Sequence, residues 1–186
     1  MADDDLLAAV AAETKQFSDK NEFTPAEYER LKDVVHEDLR PIAYSERSFF
    51  IIGSYGDDEL VQLRAVQERL QQEGEAFLMR DITDAWEFWT TQFKVLANRA
   101  TYIVGVFEHT HGGHEWEAGY LDHYEYRHKT QVLKRQYDDE AMERENFDGM
   151  FAHYIRFLDR LGRVYYWSDP DDLLDPVIED LIADLE

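Results

Sequence analysis

The chain has no cysteine among its 186 residues. That absence removes disulfides, thiolate catalysis and zinc ribbons from consideration at once. Basic residues are also scarce. Nineteen lysines and arginines stand against 41 aspartates and glutamates, a formal charge of −22 spread along the whole length rather than collected in one tail. Without a basic stripe to neutralise phosphates, nucleic acid and anionic lipid are poor partners, and a small molecule is expected instead. No segment approaches the ~18 to 20 consecutive apolar residues of a membrane span, and Met1 to Asp5 lack the basic start and apolar run of a signal peptide. The expected location is cytoplasmic, with no membrane attachment.

What the chain has in quantity is carboxylate. At about 1 M ionic strength the Debye length falls to roughly 3 Å, which screens the self-repulsion of such a surface. The acidity therefore points to a halophilic cytoplasm. The hydrophobic content of 44%, with 14% aromatic residues, is enough to bury the core of one domain.

Two helices are expected in the first third. Thr24, Pro25 and Glu27 form an N-terminus signature of hydroxyl cap, proline at the first helical position and a glutamate that reaches back. That helix is expected to stop before Pro41, with Tyr28, Leu31, Val34, Val35 and Leu39 on its packed face. From Ser48 the pattern becomes short apolar runs alternating with amphipathic helices. Strands are expected at Phe49 to Ile52, Phe77 to Met79, Tyr102 to Phe107, Gln131 to Lys134 and Val164 to Trp167. Asp84 is placed as the cap of a helix bearing Trp86, Trp89, Phe93 and Leu96, and one long helix is expected from Glu140 to Leu161. Asp175 and Pro176 mark a restart in the last helix. Such alternation predicts an α/β fold: a flavodoxin-like or Rossmann-like parallel sheet of about five strands with helices on both faces. The division expected is an N-terminal helical extension, 1–47, followed by the α/β domain, 48–186.

The third strand runs into a polar turn, Glu108 to Gly113, that opens a helix carrying His114, Glu115, Trp116, Glu117, Ala118, Gly119 and Tyr120. Carboxyl ends of strands are where open α/β sheets bind ligands, so this junction is the candidate site. Glu115 and Glu117 are two apart and diverge by about 200° on a helix, so only one of them can face a substrate. The position of Glu117 near a helix N-terminus favours its ionised form, suited to a nucleophile.

The run Glu117, Ala118, Gly119, Tyr120 resembles the Glu-x-Gly-Tyr signature of the nucleoside 2-deoxyribosyltransferase family. The surrounding order is similar too: a glycine-containing turn after the first strand, an Ala-Asn-Arg-Ala-Thr helix end before the third, a polar loop, then the motif helix. The resemblance covers residues 48–137 and leaves the extension outside it. It implies cleavage or exchange of an N-glycosidic bond, with Glu117 attacking the anomeric carbon and holding the sugar as an ester. Together with the acidity it points to a haloarchaeal member of that family. Gly119 is expected to allow close helix-to-strand packing. Gly53, Ser54, Tyr55, Asp81, Gly113 and Tyr120 are the expected substrate-binding residues, and His111 the acid that protonates the departing base. The aspartate that the family carries a few residues before the glutamate is replaced here by His109, His111 and His114. A homo-oligomer acting on a nucleoside or nucleotide is expected. The layout also resembles TIR-type NAD hydrolases, although their Trp-Cys-x-x-Glu pattern is absent, and a non-catalytic nucleotide-sensing module is the alternative from another class.

The three histidines have a His-x-His-x-x-His spacing that could coordinate a divalent metal with one further ligand. Ordinary polar-loop histidines are the simpler reading, and no cofactor or metal is expected. Trp86, Trp89, Phe93 and Trp116 are candidates for stacking on a base, with core packing as the simpler role. No basic cluster flanks the junction to hold a pyrophosphate, which favours an uncharged nucleoside over a dinucleotide.

Overall fold

Each of the five strands expected between Phe49 and Trp167 forms in a parallel sheet, the second displaced to Glu75–Leu78 because Met79 turns into a short 3-10 segment held by Asp81. The computed structural model describes residues 2–110 and 113–185. Among these, β1 (Ser48–Gly53), β2 (Glu75–Leu78), β3 (Tyr102–Phe107), β4 (Thr130–Arg135) and β5 (Val164–Trp167) pair in the order β2-β1-β3-β4-β5. Every pairing is parallel. The helices are α1 (Ala2–Ser18), α2 (Pro25–Val34), α3 (Arg40–Tyr44), α4 (Asp57–Leu70), α5 (Trp89–Arg99) and α6 (His114–Leu121). They continue with α7 (Tyr124–Arg127), α8 (Glu140–Asn146), α9 (Gly149–Arg160), α10 (Pro170–Asp172) and α11 (Ile178–Asp184). The architecture is a flavodoxin-like or Rossmann-like α/β fold with an N-terminal helical layer. No described helix is long and apolar enough to cross a membrane.

Alternate residues of the strands feed two cores. Phe49, Ile51, Val104, Val106 and Leu133 pack with Leu63, Val66 and Leu70 of α4 and with Ile178 and Leu181 of α11. Phe50, Ile52, Ile103 and Val132 face the other way, onto Phe93 and Leu96 of α5 and Ile155 and Leu158 of α9. Phe50 stacks on Phe77 with ring centroids 5.3 Å apart. Leu6, Leu7 and Val10 of α1 and Leu31 and Val34 of α2 belong to this second core, so the extension is built into the α/β layers. The Trp86 indole N–H donates to Thr14 Oγ1 at 3.0 Å in a buried bond, and Arg99 of α5 pairs with Glu13.

The Thr24 and Glu27 capping box forms as expected. The helix does not stop before Pro41. Val35–Leu39 widens into a π turn, with the Arg40 N–H bonded to the Val35 carbonyl, and the wider turn carries the chain past a residue that has no N–H to give. Asp84 caps nothing, because α5 begins only at Trp89 with Phe88 as its N-cap residue. Trp86 is instead held in the preceding irregular segment by its bond to Thr14. The long helix expected over 140–161 is broken at Phe147 and Asp148, which are extended, and resumes at Gly149 with φ of 60°. There the Asn146 carbonyl turns to accept the Thr110 N–H at 2.8 Å.

Gly53 ends β1 where the sheet leaves no room for a side chain. A Cβ at this position would lie 2.6 Å from the carbonyl oxygen of Val106 on β3. Because the obstacle is backbone, Gly53→Val is expected to cost about 2 to 3 kcal/mol in urea unfolding. An unchanged midpoint would show that the two strands can part at this end.

Candidate active site

The chain runs from β1 outward to β2 and then crosses back to β3, so the strand order reverses between β1 and β3. The register sets Gly53 beside Val106, which places the two following turns next to each other. The helices they open lie on opposite faces, α4 in one core and α6 in the other. This divergence creates a crevice at the carboxyl edge, the position where open α/β sheets bind ligands.

From the β3 side the crevice receives Glu117. Its N–H bonds to the Gly113 carbonyl at 3.1 Å in the first turn of α6, and its side chain is half-buried. One carboxylate oxygen, Oε2, is fully buried with no hydrogen-bond partner. Burial pushes the acid up to about 7. The expectation that the helix terminus favours the ionised form is thus reversed, since the desolvation of an unpaired carboxylate outweighs the dipole. A strongly perturbed acid in a cleft is a physical marker of a functional site.

From the β1 side come Ser54, half-buried, and Tyr55, a partly exposed residue whose hydroxyl is desolvated against the Met79 backbone. Desolvation first, and the charge of Glu117 second, raise the Tyr55 phenol to about 12, so it stays a hydrogen-bond donor at neutral pH. The guanidinium of Arg80 lies 5.3 Å from the centre of the Tyr55 ring. Gly113 is exposed at the mouth of α6, and a Cβ there would come within 3.9 Å of Glu117 Oε1. Trp116 and Trp89 are both exposed and meet edge to face at 4.8 Å, with Phe93 behind Trp116 at 5.5 Å.

Other residues of the junction have different engagements. Asp81 accepts from the Leu78 N–H at 3.0 Å and from Gln67 at 2.9 Å, and pairs with Arg64 at 2.6 Å. Burial acts to raise its acid, yet Arg64 and these donors hold it below the usual carboxylate range. Tyr120 faces α5: its ring stacks on Trp116, and its hydroxyl lies 2.6 Å from that of Tyr126, which donates to Asn98. Gly119 makes no close packing. A Cβ there would meet nothing within 4 Å, because the residue opens onto a cavity of about 480 Å³ between α6 and α9 that Glu115 also lines. The two glutamates therefore point to opposite sides of α6, as their spacing requires.

His109 and His114 stay together, their rings stacked with centroids 5.8 Å apart. His114 is buried against Phe107 and Phe151, with Nδ1 3.1 Å from the His109 carbonyl. His109 Nε2 lies 3.3 Å from Glu59 Oε1 on α4. His111, the expected acid, lies outside the described residues. No group of three or more metal-binding side chains converges among the described residues. Glu59 and Arg80 are parts of this edge that the sequence reading missed. The signal for the first was the acidic run Asp57, Asp58, Glu59 at the start of α4.

No curated protein sequence matches the chain. The profile of a protein family of unknown function matches residues 4–150, which takes in α1 to α3, the first four strands and Glu117. Matching across the N-terminal helices agrees with their place in the shared core. The chain belongs to that family of unknown function, DUF8170.

Proposed function

We propose that the protein cleaves or exchanges the N-glycosidic bond of a nucleoside or related nucleotide, with Glu117 as nucleophile. The observation that carries this reading is the unpartnered, half-buried Glu117 carboxylate at the strand-order reversal, facing Tyr55 across the crevice. A carboxylate is a competent nucleophile toward an oxocarbenium-like carbon. Its oxygen bonds to C1′ as the bond from C1′ to the base breaks. The base leaves with the electron pair of that bond and takes up a proton, for which the loop residue His111 is the proposed donor. Water or a second base then displaces Glu117 from the sugar. With an acid at about 7, the attacking anion is half formed at neutral pH, and turnover should rise as pH climbs through that value. Trp116 and Trp89 offer the base an aromatic surface. Homo-oligomeric assembly and a salt-rich cytoplasm complete the reading, the latter supported by the formal charge of −22.

The test is a screen of nucleosides, nucleotides and NAD for free base by chromatography at 2 M KCl. Release by the wild type and none by Glu117→Ala is the expected result. A ligand that raises the melting temperature without any base appearing would identify a sensor instead.

A further inference from the structure

We infer that Glu59 makes this site selective for unphosphorylated nucleosides over their 5′-phosphates. The inference rests on the glycosidase reading for its substrate, and on α4 alone for the exclusion of the anion. In open α/β folds the N–H groups that open the helix after β1 are a natural seat for phosphate. In this chain the seat is taken. Asp57, Asp58 and Glu59 form the first turn of α4, after Gly56 at the N-cap. The Glu59 carboxylate folds back onto the cap, where a Cβ on Gly56 would collide with it. Its own backbone N–H, followed by His109, holds the acid below the usual carboxylate range against the opposing effect of burial. Because His109 belongs to the loop after β3, the contact between His109 and Glu59 closes the α4 end of the crevice from the other turn.

An arriving phosphate would have to displace this carboxylate from the cap while facing two more. Arg80, over Tyr55, and Arg64, already paired with Asp81, are outnumbered by those three acids and Asp81. Specificity against a competitor is commonly built from such like-charge opposition. An uncharged ribose hydroxyl meets no such penalty and can donate to Glu59.

The experiment compares wild type, Glu59→Gln and Glu59→Ala on one nucleoside and its 5′-monophosphate. It also measures the melting-temperature shift of each protein with inorganic phosphate against the same concentration of chloride, in the KCl of the activity screen. The wild type should prefer the nucleoside by about tenfold or more in kcat/KM, and each variant should shrink that preference by about tenfold. Phosphate should stabilise the variants and leave the wild type unmoved. Equal use of both substrates by the wild type, or an unchanged ratio in the variants, overturns the inference. So does a fall in melting temperature with no gain in phosphate binding, which is the mark of a helix-capping acid alone. If no protein releases base, the glycosidase reading has failed and the phosphate measurement decides by itself. Stabilisation of the variants only supports exclusion, and stabilisation of all or none refutes it.

Discussion

Glu117→Gln is expected to lose at least about 10³-fold in base release and, in the same protein, to be more stable than wild type above pH 7. The amide keeps the shape of the side chain and removes the proposed nucleophile, so the kinetic loss follows from the proposed mechanism. The gain in stability follows from linkage. Below about pH 4 the acid is protonated in both folded and unfolded chains and makes no difference. Between 4.5 and about 7 the unfolded chain loses the proton while the folded chain keeps it, so stability falls with rising pH across that window. Above it the folded protein carries a desolvated charge that costs about 3 kcal/mol. Glutamine has no such cost, and for a chain of this size the relief corresponds to several degrees in Tm at pH 8 and none at pH 4. Melting curves from pH 4 to 8 check it. Parallel curves for the two proteins would mean that the carboxylate is solvated, and the main physical support for the site would be gone.

Removal of residues 1–18 is expected to abolish the native fold. On its inner side α1 carries Leu6, Leu7 and Val10, each buried in the core that holds Phe50 and Phe93. Uncovering the apolar core surface that these three side chains seal costs roughly 5 to 8 kcal/mol, and the Trp86 indole would also lose its buried partner Thr14. Domain stabilities are about 5 to 15 kcal/mol, so little or nothing remains. Near-ultraviolet circular dichroism of a 19–186 chain reads this directly. A cooperative unfolding transition with native dichroism would show instead that the extension is an appendage.

The inner strands were legible where burial on both faces writes a continuous apolar run, as Phe49 to Ile52 does, and the half-exposed edge strand β5 by its aromatic content. The position of Glu117 was legible from its place after β3 and its spacing from Glu115. Its protonation was not, because local sequence shows the helix terminus but not how deeply a side chain is buried. Pro41 misled because a proline interrupts an α-helix but not a helix that widens into a π turn. Gly119 misled for the opposite reason: a glycine can mark a close approach or an opening, and only the position of α9 decides which. The pairing of Glu59 with His109 joins residues 50 apart and leaves no periodic trace.

The pair of exposed tryptophans gives the crevice a built-in optical reporter. Of the chain's four tryptophans, Trp86 and Trp167 are buried in the two cores, whereas Trp89 and Trp116 are solvent-exposed and touch one another beside Glu117. The buried pair supplies a short-wavelength emission that tracks folding. The exposed pair supplies a longer-wavelength emission that, on the proposed glycosidase reading, an aromatic base would quench. One emission spectrum therefore separates occupancy of the crevice from loss of structure, with no label attached to the protein.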